Sequence, residues 1–217
     1  MSTPTIAFHL DYISPYAYLA WTQIHALAER HGATVRPVPV LFAALLDHHG
    51  QKGPAEIPAK RRYVFKEILR RAALLGVPLG PPPTHPFNPL LALRATVAAD
   101  GDRRLIDALF AGTWGDADLK GVDDAERVAE MANRAGLDGA DIVARAQEDD
   151  VKAALREQTE RAIAAGVFGV PGMLVGEELF WGLDSFDLLE RHLAGEDPLD
   201  RDALAKVMSI PASASRR

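Results

Sequence analysis

From Thr5 to Leu10 the residues alternate, placing Ile6, Phe8 and Leu10 on one face, and the run meets the turn-prone Asp11 and Ser14-Pro15. That pattern predicts a strand ending near Asp11. The apolar spacing then changes from two to three and four. Ala17, Ala20, Trp21, Ile24, Leu27, Ala28 and His31 predict a helix with Ser14 as N-cap, Pro15 at its first position and Gly32 as its stop. Thr34 to Leu41 sets Val35, Val38 and Val40 among polar residues and two prolines, which predicts a second strand parallel to the first. The chain thus opens with a β-α-β unit.

Beyond Phe42 the period stays helical for about a hundred residues. Lys60 to Gly76, Leu90 to Ala99, Arg103 to Trp114 and Asp123 to Ala135 follow one another without a convincing strand. Two irregular stretches, His48 to Pro58 and the proline-rich Gly76 to Pro89, interrupt them. A further helix is expected over Val151 to Ala165, stopped by Gly166. Strands then return as Met173 to Val175 and Leu179 to Trp181, at hairpin spacing, before a last helix capped by Asp184 or Ser185 and running through Leu193. The tail from Ser209 is too polar and small to pack, and disorder is expected there.

Composition narrows the chemistry. With 48% hydrophobic and 25% charged residues over 217 positions, the chain can bury a sizeable core. Lys and Arg number 24 against 30 Asp and Glu, and the resulting formal charge of -6 repels a phosphate backbone, so no nucleic-acid partner is expected. There is no cysteine, which excludes disulfides, thiolate metal sites and a cysteine nucleophile; any thiol chemistry needs a borrowed thiol. His48-His49 lacks a further ligand pair at zinc spacing, so no metal site is expected. No apolar run is long enough for a bilayer, and the first eleven residues lack a secretory pattern, so the expectation is a cytoplasmic protein.

The element order β-α-β, helical block, α-β-β-α combines with particular phrases: Asp11-Tyr12-Ile13-Ser14-Pro15-Tyr16-Ala17-Tyr18-Leu19, Lys60-Arg61-Arg62-Tyr63 with Arg70 behind it, Gly166-Val167-Phe168-Gly169-Val170-Pro171, and Phe180-Trp181-Gly182-Leu183-Asp184. Together they resemble the kappa class glutathione transferases and the bacterial 2-hydroxychromene-2-carboxylate isomerases. The resemblance runs from residue 6 to about residue 194. It implies an α/β fold: a thioredoxin-like domain over residues 1–41 and 152–208, carrying an inserted all-helical domain over residues 42–151, with 209–217 as the disordered tail.

It also gives the candidate site residues a second meaning. Read locally, Ser14 is an ordinary N-cap; the resemblance places its hydroxyl and the helix start against the thiol of glutathione, with Pro15 and Tyr16 lining the same site. Read locally, Val170-Pro171 defaults to a trans bond; the resemblance implies a cis bond that turns the Val170 backbone toward the cysteinyl part of glutathione, with Gly166 and Gly169 supplying backbone freedom. Asp184 and Ser185 cap the last helix and, by resemblance, hold the γ-glutamyl end, although the family frequently has arginine where Ser185 stands. Gln51 and Lys60, both plausible surface residues, would close over the tripeptide. Glu67 stands for a family aspartate in a structural ion pair before Arg70, and Asn88 suits a turn. Tyr12, Tyr18 and Trp21 suit the core.

What the resemblance implies for activity is a glutathione-dependent isomerase interconverting 2-hydroxychromene-2-carboxylate and trans-o-hydroxybenzylidenepyruvate, a chemistry of naphthalene-like aromatic breakdown. A kappa-type glutathione transferase and a non-catalytic small-molecule binding module are the alternatives. A small aromatic substrate and a homodimer are implied with it.

Overall fold

The computed structural model describes residues 3–115, 118 and 121–211. Its sheet has four strands in the order β2-β1-β3-β4. Strands β1 (Thr5–Leu10) and β2 (Thr34–Pro39) run parallel, with Thr5 opposite Thr34 and Leu10 opposite Pro39. The returning hairpin, β3 (Gly172–Val175) and β4 (Glu178–Trp181), pairs antiparallel to β1 through β3. Helix α1 (Pro15–Arg30) makes the crossover between β1 and β2. Ser14 accepts from the Ala17 N–H as its N-cap, and Gly32 follows in the left-handed conformation that ends the helix without a Cβ penalty.

The alternation in β1 sorts the two faces of the sheet. Ile6, Phe8 and Leu10 are fully buried in a core shared with α1, whereas Ala7 lies in a second, smaller core with Val38, Val40, Ala162 and Val170. That second face is covered by α8 (Asp149–Ala164) and α2 (Phe42–His48).

The helical block consists of α2, α3 (Pro58–Leu75), α4 (Leu90–Ala98), α5 (Arg103–Trp114), α6 (Ala125–Arg134) and α7 (Gly139–Arg145). It is held to the first β-α-β unit by buried polar groups of the aromatic residues expected in the core. Thr96 donates to the Ala92 carbonyl, leaving its oxygen to receive the Tyr12 hydroxyl at 2.7 Å. Trp114 Nε1 donates to the Tyr12 carbonyl at 2.7 Å, Tyr18 to the Pro78 carbonyl at 2.7 Å and Trp21 to Asp107 at 2.6 Å. Each polar tip finds a partner across the boundary, so the large rings are buried without an orphaned donor. One continuous apolar core therefore runs from the sheet through α1 into α4, α5 and α6.

Three helices escaped the reading of the sequence. Helix α2 is short and has no side-chain cap, and α7 spans only seven residues. Helix α10 (Arg201–Met208), capped by Asp200, is exposed along its whole length and buries no apolar stripe. It ends where the disordered tail was expected; of that tail, residues 212–217 lie outside the described residues. The last expected helix, α9 (Phe186–Leu193), is entered through a 3-10 turn over Leu183–Ser185. Ser185 sits at the cap position, but its hydroxyl donates back to the Gly182 carbonyl at 2.9 Å instead of accepting from an α9 amide. The expected side-chain cap is thus replaced by a closed turn.

Candidate functional site

The site forms where the end of β1 meets the start of α1 and the loop before β3. Asp11, almost fully buried at 2% exposure, organises it. One carboxylate oxygen accepts from the Ile13 N–H and the other from the Phe42 N–H, both at 3.0 Å, while its carbonyl accepts from the Ser14 N–H at 3.1 Å. Burial pushes the Asp11 carboxyl up to about 6, against the pull of those two amides. Ser14 follows from this turn. Its oxygen caps Ala17 at 3.2 Å, and its hydroxyl points to the Val170 carbonyl at 3.4 Å, a long contact that leaves the hydrogen easily redirected.

The Val170-Pro171 bond is cis. The Val170 N–H has no intramolecular partner among the described residues, so this segment offers a free donor beside the Ser14 hydroxyl. On β1, His9 is nearly buried and its Nδ1 meets the Gly172 carbonyl at 3.2 Å, tying the same segment to the sheet. Gly166 adopts the left-handed conformation expected of it. Gly169 serves for space rather than for backbone freedom: a Cβ there would lie 2.5 Å from Trp181 Nε1.

Tyr16 and Asp184 lie further out. The Tyr16 hydroxyl, expected at the tripeptide, is committed to Glu67, donating to it at 2.6 Å; burial and that bond push the phenol well above its ordinary value. Glu67 in turn binds Arg71 at 2.7 Å, so the ion pair expected near Arg70 belongs to its neighbour. Tyr16 and Arg71 together hold the Glu67 carboxyl below the usual range. Asp184 is exposed and contributes to raising Arg71, which places opposite charges from α3 and the 3-10 turn in one electrostatic neighbourhood. Gln51 and Lys60 are exposed, and neither makes a side-chain hydrogen bond or ion pair to Ser14, Val170 or Asp184. Asn88 forms the expected turn, accepting from the Leu90 N–H at 3.0 Å.

Two members of the site went unread in the sequence. In sequence Asp11 signals only a turn, and His85 carries no signal of a role. His85 reaches the Ile13 carbonyl through Nε2 at 3.2 Å. A contact spanning 72 residues leaves no local spacing signal that could have revealed it. Among the described residues no group of three or more His, Asp or Glu side chains forms a metal site, and no helix is long and apolar enough to cross a membrane.

A β-α-β unit, a helical block and a returning hairpin that brings a cis-proline segment to a polar helix start define a thioredoxin-like fold. The chain belongs to the DSBA-like thioredoxin domain family, whose model matches residues 5–194. It is 30% identical over 197 residues to a 2-hydroxychromene-2-carboxylate isomerase of Sphingobium xenophagum, covering 88% of this chain and 98% of that one. It is 26% identical over 218 residues to glutathione S-transferase kappa 1 of Caenorhabditis elegans, covering 90% of this chain and 93% of that one. A solved 2-hydroxychromene-2-carboxylate isomerase shares the fold with a TM-score of 0.77 at 24% identity, covering 95% of this chain and all of that one.

Proposed function

We propose that the protein is a cytoplasmic, homodimeric, glutathione-dependent isomerase that interconverts 2-hydroxychromene-2-carboxylate and trans-o-hydroxybenzylidenepyruvate. The observation that carries this reading is the Ser14 hydroxyl, set at a helix start beside the unpartnered Val170 N–H in a chain without cysteine. Those donors fit an outside thiol compound with a peptide backbone: Ser14 and the α1 amides suit a thiolate, and the Val170 N–H suits a peptide carbonyl.

Glutathione, when bound, supplies a thiolate able to add reversibly to an electron-poor carbon conjugated to a carbonyl, so that a double bond becomes a single bond and can rotate. The chain's own residues prepare that chemistry. Ser14 redirects its hydroxyl from the long Val170 contact toward the sulfur, and the start of α1 favours negative charge there. Asp184 suits the ammonium of the γ-glutamyl end and Arg71 its carboxylate, which supplies a guanidinium where Ser185 has none. Gln51 and Lys60 are free to fold onto the ligand.

The test follows the absorbance of 2-hydroxychromene-2-carboxylate with and without glutathione. Glutathione-dependent conversion in the wild type, reduced on the order of 100-fold by Ser14→Ala, supports the reading, while folding stability falls by only about 1 kcal/mol for the lost cap. Equal turnover in the variant removes Ser14 from the chemistry. Kappa-class relatives at similar coverage give the transferase reading independent support, and product analysis separates the two: isomerisation returns free glutathione, whereas transfer leaves a stable thioether.

A further inference from the structure

The residue before Ser14 has both of its backbone polar groups held by side chains. The Ile13 N–H donates to Asp11 at 3.0 Å, and the Ile13 carbonyl meets His85 Nε2 at 3.2 Å. His85 comes from the proline-rich loop between α3 and α4, and its ring is enclosed by Trp114 at 5.3 Å, Phe65 at 5.5 Å and Phe87 at 6.2 Å between centroids. Its own carbonyl accepts from Arg61 at 3.2 Å, and the Arg61 guanidinium lies 5.7 Å from the centre of the Phe65 ring. A carbonyl only accepts, so Nε2 must carry the proton. Nδ1 is then a bare acceptor, buried with no partner among the described residues. Protonating it would place a cation among three aromatic rings; burial accordingly holds the imidazole below its ordinary value.

We infer that His85 is a positioning residue through which the helical block sets the Ile13-Ser14 peptide, offsetting the Ile13 carbonyl dipole beside the place where a thiolate would sit. An unengaged carbonyl presents its negative end to that charge and is free to tilt the Ser14 hydroxyl with it. A neutral N–H fixed on the carbonyl removes both effects without adding a counter-charge that would bind any anion. Holding a donor while leaving a buried acceptor unpaired carries a stability cost. Such a cost, borne by the side chain that holds the peptide preceding Ser14, fits a functional role better than a packing choice.

The inference rests on the glutathione reading, and the experiment separates the two. The pKa of protein-bound glutathione is measured from thiolate absorbance against pH, together with glutathione affinity by calorimetry, in the wild type, His85→Phe and His85→Gln. His85→Phe keeps a ring in the aromatic enclosure and removes the donor; it is expected to raise the bound thiol by about one pKa unit, a roughly tenfold loss of thiolate near neutral pH, while affinity changes by less than about threefold. His85→Gln, which retains an N–H, is expected to recover part of the shift. An unchanged thiol pKa in His85→Phe overturns the inference while leaving the glutathione reading intact. A wild type that binds no glutathione, or binds it without lowering its thiol pKa, overturns both. Nitrogen NMR of the wild type gives a second test that needs no variant: a protonated Nε2 and bare Nδ1 are expected at neutral pH, and the opposite tautomer overturns the inference.

Discussion

The two ends of the candidate site are built differently. At the Ser14 end, Asp11 is nearly buried and its carboxylate has two amide partners, the Ile13 peptide is held on both sides, and even the Ser14 hydroxyl has a resting acceptor in Val170. At the other end Asp184 is exposed, as are Lys60 and Gln51 of the helical block. The first end is finished by folding and paid for in desolvation; the second has charges and amides available to a ligand. Reactive chemistry needs preorganised dipoles, whereas the ends of a flexible tripeptide can be gathered by mobile side chains. Damage at the first end should therefore appear in folding and at the second in binding alone.

The largest expected break in that contrast is Asp11→Ala. It leaves the Ile13 and Phe42 amides without acceptors in a largely buried turn, and a loss of roughly 2–4 kcal/mol in unfolding free energy is expected, measured by urea titration. The loss also depends on pH. The Asp11 carboxyl is raised from its ordinary 3.8 to about 6 in the folded state, so the native protein binds its proton more tightly than the unfolded chain. Its contribution is fully present below 3.8 and is lost as pH rises through 6, so the stability difference between wild type and variant should be larger at pH 5 than at pH 8. Equal differences at both values would remove the buried carboxylate from the account.

His9 sharpens the same end in the opposite direction. Burial lowers it from 6.5 to about 4, with the nearby charge of Arg36 adding to the shift and the hydrogen bond to the Gly172 carbonyl opposing it. The unfolded chain therefore takes up the proton first. The His9 contribution is complete above 6.5 and falls away as pH drops toward 4, costing on the order of 3 kcal/mol. His9→Gln should flatten the acid limb of a stability-against-pH curve, and an unchanged limb would assign the acid sensitivity to other histidines.

The contrast also explains how far the sequence could be followed. The strands, α1 and most of the helical block follow from period and caps: Ile6, Phe8 and Leu10 alternate because one face of β1 is buried, and Ser14-Pro15 is a strong start signal. Ser14 and Val170-Pro171 gained a common meaning only through family resemblance, because a cap and an X–Pro pair are locally ordinary. Asp11 and His85 stayed unread because their partners, Phe42 and Ile13, are 31 and 72 residues away. Tyr16 looked available in sequence and is committed to Glu67, a partner on a different helix. Helix α10 does carry a legible signal, Leu204, Val207 and Met208 at three- and four-residue spacing behind the Asp200 cap, although it buries none of them, whereas short α2 lacks a side-chain cap.

The smallest expected effect belongs to the open end. Asp184 is exposed, and among the described residues no hydrogen bond depends on its carboxylate, so Asp184→Asn should leave the thermal midpoint where it is. Glutathione affinity should nevertheless fall by about three- to tenfold, since a charged acceptor for an ammonium group becomes a neutral one. The loss should shrink as salt is raised, as it does for exposed charge pairs. A tripeptide analogue without the γ-glutamyl ammonium should bind wild type and variant alike, which distinguishes recognition of that group from a general field effect. If the variant instead lost stability with unchanged affinity, Asp184 would belong with Asp11 as a residue that holds the chain together, and the division between a finished and an open end would fail at the residue that defines it.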